Sequence, residues 1–399
     1  MRCLWLTREA PYPPRYGGDY LYSSHVIEAL AAAGASVTVL CYGGGGVSPS
    51  VQCREPGVEW EVLPAPPPRA AWRSLPGRLP SIAHRYVSAA MQDRVRGRLR
   101  GERWDAVLLD HIGMGWTLPV LRAEGVGAPA GPLLVYVSHN HEESVRRQVA
   151  LRAAGALPKR LALRVDAAKV RPLERALVRS SGLLVANTEE DAALFRHEVP
   201  TQRYVVVSPG YDGPVLEPRA PAAAPRRAIV VGSFGWLAKQ HNLEAFLAAS
   251  VPRFQAMGVE IEVAGSMPPA FAISIRQRYP TVRVTTPVED MTPRLLEARI
   301  GVVPEEVGGG FKHKALQYVF CRLPVAALSG SVAGTPLVPD ESILEYPSME
   351  ALADGVLRVI DDPALLRRLD AAAFEACAGR FEWADRGVTL LDAMREAAS

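Results

Sequence analysis

The stretch Val302–Tyr318 holds the residues best suited to chemistry. Glu305 and Glu306 leave an apolar run, Gly308, Gly309 and Gly310 follow, and Lys312, Lys314 and Gln317 come after Phe311. The pattern predicts a strand end, a glycine-rich turn and a helix start. Glycines carry no Cβ, so their backbone amides can approach a phosphate closely. Two lysines two apart at a helix N-terminus oppose the helix dipole, which argues for an anion nearby. The chemistry is that of a phosphate cradle. Departure of a phosphate leaving group concentrates negative charge, and lysines aimed at it stabilise the transition state more than the ground state.

A second group lies in the first half. Leu133–Val137 reads as a buried strand ending in Ser138-His139-Asn140-His141-Glu142-Glu143. Polar side chains at the carboxyl end of a parallel strand stand where α/β sheets place their sites. His139, His141 and Glu142 are the candidates, since a histidine can donate, accept or transfer a proton near neutrality. Two histidines one residue apart could suggest a metal, but no cysteine or carboxylate ligand set accompanies them, and no metal is expected. Gly17 and Gly18 precede a helix whose N-terminus attracts anions; their pattern is not a dinucleotide fingerprint.

These groups need elements to hold them. Arg2–Thr7 is read as a strand, Tyr20–Ala33 as a helix ended by Gly34, and Ser36–Cys41 as a strand. Ala106–Asp110, Gly182–Asn187 and Tyr204–Val207 continue the series. Residues 43–104 are mostly illegible apart from a basic helical stretch, Ile82–Leu99, and Val145–Arg179 reads as basic helix broken near Gly155–Pro158. Residues 214–227, rich in proline and alanine, read as linker. A second series follows: strands at Ala228–Val231, Val259–Ala264, Val282–Thr285, Ile300–Val303 and Pro324–Ala327, with helices between. A terminal amphipathic helix spans Trp383–Ala398. The expectation is α/β: two doubly wound Rossmann-like domains facing across a cleft, 1–210 and 228–382, joined by 211–227, with the helix of 383–399 packing back on the first.

Bulk properties agree. The 399 residues are 48% apolar and 22% charged, as in a globular protein with room for two cores. No uncharged apolar run reaches the ~18 residues of a spanning helix. Five scattered cysteines fit neither a disulfide framework nor a zinc pattern, and free thiols fit the cytoplasm. Residues 1–210 hold 26 Lys/Arg against 19 Asp/Glu, whereas 211–399 hold 19 against 23. The basic excess, concentrated in Arg69–Arg103 and Arg146–Arg179, suggests an anionic partner for the first half.

The chain resembles the GT-B glycosyltransferases, and within them the large, mostly retaining family 4. The resemblance rests on Tyr16-Gly17-Gly18, His139-Asn140, Ser208-Pro209-Gly210, Gly232-Ser233-Phe234 with Lys239, Pro304 followed by Gly-Gly-Gly-Phe-Lys-His-Lys, Leu323-Pro324-Val325 and the helix after Phe381-Glu382-Trp383. It implies metal- and cofactor-independent transfer of a sugar from a nucleotide-diphosphate sugar, UDP rather than GDP, to an acceptor hydroxyl. Retention of configuration is implied, with inversion on a lipid-linked acceptor, an epimerase-like activity or a silent GT-B protein as alternatives. His139 and Glu306 take the catalytic positions. Gly17, Gly18, Gly232, Phe234, Lys239, Gly309, Gly310, Lys312, Lys314 and Gln317 take the donor positions, and His141 and Glu142 face the acceptor. The family's two glutamates, eight apart, fall here on Gly309 and Gln317, and Ser233 stands where many members carry arginine. Partners expected are a nucleotide sugar and a carbohydrate, lipid-linked or small-molecule acceptor, but no nucleic acid. The expected location is cytoplasmic, with peripheral contact at the inner membrane face through the basic first domain.

Overall fold

A computed structural model describes residues 1–10, 18–43, 56–153, 156–306 and 309–399. The chain divides into two compact units, 1–210 with 383–399, and 211–382.

The first unit is built on seven strands: β1 (Arg2–Leu6), β2 (Ser36–Tyr42), β3 (Val58–Leu63), β4 (Ala106–Asp110), β5 (Leu133–Val137), β6 (Leu183–Ala186) and β7 (Tyr204–Val206). Their order is β3-β2-β1-β4-β5-β6-β7 and every pairing is parallel. Parallel sheets need both faces covered, and β1 shows how the sequence meets this. Leu4 and Leu6 enter the core on one face, Cys3 and Trp5 that on the other, and all four are fully buried. The helix Gly18–Ala32 covers one face and ends where Gly34 takes φ 99°. The terminal helix Trp383–Ala398 packs against it so closely that a Cβ on Gly387 would lie 2.0 Å from the Ala29 carbonyl oxygen. Arg386 reaches from that helix to the Ser208 carbonyl oxygen at 3.1 Å.

The second unit has six strands: β8 (Arg227–Ser233), β9 (Glu260–Ser266), β10 (Arg283–Thr285), β11 (Ile300–Val303), β12 (Val325–Leu328) and β13 (Leu344–Tyr346). Their order is β10-β9-β8-β11-β12-β13, again wholly parallel. Tyr318 clips the centre of this sheet. Its hydroxyl accepts from the Val231 amide at 2.9 Å, and its ring fills the space that a side chain on Gly301 would need. In both sheets the chain winds outward from the first strand on one side, then returns to its other side. Each sheet therefore has a switch point, β1/β4 and β8/β11, where such folds open a crevice.

The first unit and the second unit each carry the expected α/β winding. The basic stretch resolves into helices Glu142–Arg152 and Leu157–Ser180, and Ile82–Leu99 into Ser81–His84 and Ala89–Gly101. The segment expected as linker has contacts of its own. Residues 211–227 pack into the second unit because Arg219 donates to the carbonyls of Leu295, Leu296, Ala298 and Arg322. The Leu216 amide adds a bond to the Phe320 carbonyl at 2.8 Å. β3 lies in the stretch that was illegible; it is a half-covered edge strand with weak apolar alternation, Val-Glu-Trp-Glu-Val-Leu.

Candidate active site

In the second unit the switch point gathers three lysines around one carboxylate. Glu305 leaves the end of β11 with its side chain only 6% exposed. It pairs with Lys314 and, at 3.5 Å, with Lys312. Lys239, in the first turn of the helix Leu237–Ala256, adds its field. Burial alone would raise the Glu305 pKa, but Lys314, Lys312 and Lys239 hold it well below the usual carboxylate range. Lys312 also donates to the carbonyls of Gly309 and, at 3.1 Å, Gly310. Gly310 adopts φ 65°, the left-handed conformation that lets the turn deliver Lys312 to the start of the helix His313–Phe320. The anion that the lysine spacing called for is thus supplied by the chain itself. Three lysines against one carboxylate still leave an excess of positive charge.

Gln317 lies one turn beyond Lys314, half-buried, and its side chain has no hydrogen bond among the described residues. It keeps an amide available beside the lysines.

Other donor candidates are placed differently. Glu306 is exposed, and Glu305 is the carboxylate among the lysines. Adjacent residues leaving a strand end project to opposite sides, so only one can face inward. Phe234 is buried in the core, its ring folded over Gly232, where a Cβ would meet it at 3.2 Å. Gly18 begins the first helix, and Gly17 and Gly308 lie outside the described residues.

In the first unit the switch point carries a buried polar network. His139, 5% exposed, sets its Nε2 2.5 Å from Oδ1 of Asp110 at the end of β4. Trp5 donates to the other Asp110 oxygen at 3.1 Å. Burial would raise the Asp110 pKa, but His139, Ser23 and Thr7 keep it below the usual range, so the carboxylate is ionised. Tyr22 and His111 meet the His139 ring edge-on, at 5.3 and 5.4 Å between centroids. Arg8, just past β1, pairs with Asp19 at 2.6 Å. Asp19 is held at about 2: burial works against ionisation, and the Arg8 guanidinium outweighs it. His111 takes φ 72° and accepts from the Gly113 amide on Nδ1 at 2.9 Å. Burial, and then the Arg8 guanidinium, push its pKa well below the usual value. Its ring is therefore neutral, with the proton on Nε2, 3.8 Å from Glu142.

His141 turns away from His139, and Glu142 adjoins its network only through His111. His141 caps the helix Glu142–Arg152, its Nδ1 accepting from the Ser144 amide at 3.3 Å, with its ring on Phe195 and Nε2 3.5 Å from Glu198. Glu142 is buried, bonded to Arg146 at 2.9 Å and Asn140 at 3.0 Å. The helix dipole and the need to satisfy its first amides claim both residues. Buried Glu174 accepts the Glu142 and Glu143 amides at 2.9 and 2.8 Å. Burial pushes its carboxyl well above the usual range, and nearby Glu142 adds to this against those amide bonds.

Asp110, Arg8 and Asp19 were missed in the sequence. Asp110 had a signal, since it ends an apolar strand as His139 follows one. Arg8 and Asp19 had none beyond their closeness to β1. Among the described residues, no group of three His, Cys, Asp or Glu is placed to hold a metal ion.

Two doubly wound parallel sheets, each with polar groups at its switch point, define a two-unit α/β class. Comparison with known proteins makes this specific. A glycosyl transferase 4-like domain matches residues 17–210, and a glycosyl transferases group 1 domain matches 225–362. The chain belongs to the GT-B glycosyltransferases of the group 1, family 4 type. A search of curated proteins finds no match. Among solved structures the fold is similar to sucrose-phosphate synthase from Thermosynechococcus elongatus (21% identity, TM-score 0.74, all of both chains covered). It is also similar to HepE of Anabaena in complex with UDP and glucose (14%, 0.66, 98% of this chain and 99% of that one). WaaG, a glycosyltransferase involved in lipopolysaccharide biosynthesis, matches at 16% identity and TM-score 0.65, with 98% of each chain covered.

Proposed function

We propose that the protein transfers a sugar from a UDP-sugar to an acceptor hydroxyl with retention, using no metal or other cofactor. The observation that carries this reading is the cluster of Lys239, Lys312 and Lys314 about Glu305. In the transfer, the bond from the anomeric carbon to the β-phosphate oxygen breaks and its electron pair goes to the diphosphate. The acceptor oxygen bonds to that carbon on the face the diphosphate leaves, and its proton passes to the departing β-phosphate oxygen. The excess positive charge of the lysine cluster stabilises the leaving diphosphate in a partly buried site, where such charges count for more than in water. Gln317 is assigned to the ribose hydroxyls, and His139, with the network around Asp110, to the sugar or the acceptor hydroxyl. The UDP and glucose bound to HepE support a uridine nucleotide. The test is a panel of UDP-, GDP- and dTDP-sugars, read by thermal shift, by slow hydrolysis and by the anomeric configuration of the product. Stabilisation by no UDP-sugar would sink the reading; an inverted product would overturn retention alone.

A lipid-surface acceptor has its own support. The helix Leu157–Ser180 shows solvent a stripe one turn apart, Leu157 (74% exposed), Leu161 (59%) and Val165. Exposed Lys159 and Arg164 flank it. Trp72, 66% exposed, sits on a turn held to the same helix by Lys169, which donates to the Ser74 carbonyl at 2.7 Å. An apolar stripe flanked by cations fits an anionic bilayer surface. Binding to phosphatidylglycerol vesicles should fall with salt and be lost in Leu157→Asp/Leu161→Asp; equal binding by the double variant excludes this face.

A further inference from the structure

Several buried side-chain atoms of the first unit lack a hydrogen-bond partner among the described residues, and one of them belongs to the polar network at the switch point. His139 Nδ1 makes no hydrogen bond, although the ring is almost wholly buried and fixed on three sides by Asp110, Tyr22 and His111. Buried polar atoms are mostly satisfied, and an exception can mark a catalytic role or the place of a water or ion; His139 Nδ1 stands apart because its ring sits among polar groups at the carboxyl ends of β4 and β5, where such folds open a crevice.

We propose that Asp110 is a positioning residue: it holds the His139 proton on Nε2 and so keeps the Nδ1 lone pair as the acceptor for a substrate hydroxyl. The donors around Asp110 fix this assignment. Its two oxygens serve His139 Nε2 and Trp5 Nε1, and an indole nitrogen only donates. An ionised carboxylate accepts both bonds, so Nε2 must carry a proton. The neighbouring ring of His111 is neutral and already committed to the Gly113 amide, so it offers no competing partner. The inference deepens the glycosyl-transfer reading and rests on it for the identity of the hydroxyl donor.

Asp110→Asn tests it with little change of shape. An asparagine has one acceptor oxygen, which Trp5 claims, and its NH2 then faces His139 Nε2. Nε2 must accept, and the proton moves to Nδ1. Nitrogen NMR of histidine-labelled protein, with the His139 signal assigned by its loss in His139→Gln, should show an unprotonated Nδ1 in the native chain and a protonated Nδ1 in Asp110→Asn. With the best UDP-sugar, kcat should fall about 100-fold in Asp110→Asn while KM for the donor stays within about twofold, as expected for loss of an orienting partner. A protonated Nδ1 in the native protein, or Asp110→Asn turning over within about threefold of native, overturns the proposal. The native spectrum decides even if the variant does not fold. If no nucleotide sugar is turned over by the native chain, the glycosyl-transfer reading fails while the tautomer is still measured.

Discussion

Replacing Glu305 by Gln gives a prediction with opposite signs for stability and for ligand binding. Glu305 is the carboxylate that pairs with both Lys312 and Lys314. At the 3.5 Å separation from Lys312, a unit pair at an effective dielectric of about 20 attracts by about 5 kcal/mol before desolvation is subtracted. Breaking a buried pair by removing one partner typically costs about 3–5 kcal/mol, because the other charge is left uncompensated. The lysines keep some contact with solvent, each 11% exposed, so the lower end, about 3 kcal/mol, is expected for Glu305→Gln without ligand. A diphosphate replaces the lost negative charge. UDP should therefore stabilise Glu305→Gln more than it stabilises the native protein. The pH dependence follows from the depressed pKa. Glu305 contributes fully above the ordinary glutamate range, and its contribution is lost progressively as pH falls below that range toward the folded pKa. The gap between the two proteins should be constant near neutrality and close in acid. Thermal unfolding with and without UDP, from pH 8 down to pH 3, reads all three effects. Equal stability at pH 7, or a smaller UDP shift in the variant, would refute the assignment of Glu305 as the internal counter-ion of a diphosphate site.

Two other changes test separate parts of the structure. Gln317→Ala should weaken UDP binding several-fold and Gln317→Glu should strengthen it, since a carboxylate bonds hydroxyls better than a neutral amide; unchanged affinity in both, by calorimetry, removes Gln317 from the ribose site. Gly387→Ala would drive a Cβ into the Ala29 carbonyl, backbone against backbone, and should cost about 2–3 kcal/mol in urea unfolding; a neutral result would mean that the terminal helix does not dock as closely as described.

Much of the scaffold was legible because its signals are local. Apolar runs of strand length alternate with helical periods through both halves, and Gly34 and Thr188 mark helix ends that the structure keeps, Thr188 accepting the Asp191 amide at 3.1 Å. β3 escaped because an edge strand need not be apolar on both faces. Composition marks 211–227 by its proline and alanine, whereas its packing on the second unit turns on the carbonyls Arg219 can reach.

The sequence by itself determined the two α/β windings, the strand ends where polar groups collect, and the need for an anion beside Lys312 and Lys314. That need follows from charge and helix polarity within a few residues, so no tertiary contact is required to see it. Only the tertiary structure decided which anion answers it, Glu305 rather than its neighbour, and that Phe234 belongs to the core. It also decided that His141 caps a helix, while His139 meets a carboxylate 29 residues away. Such pairings depend on which strand ends the winding brings side by side, and the order of parallel strands is set by packing both faces of a sheet, which no local pattern encodes.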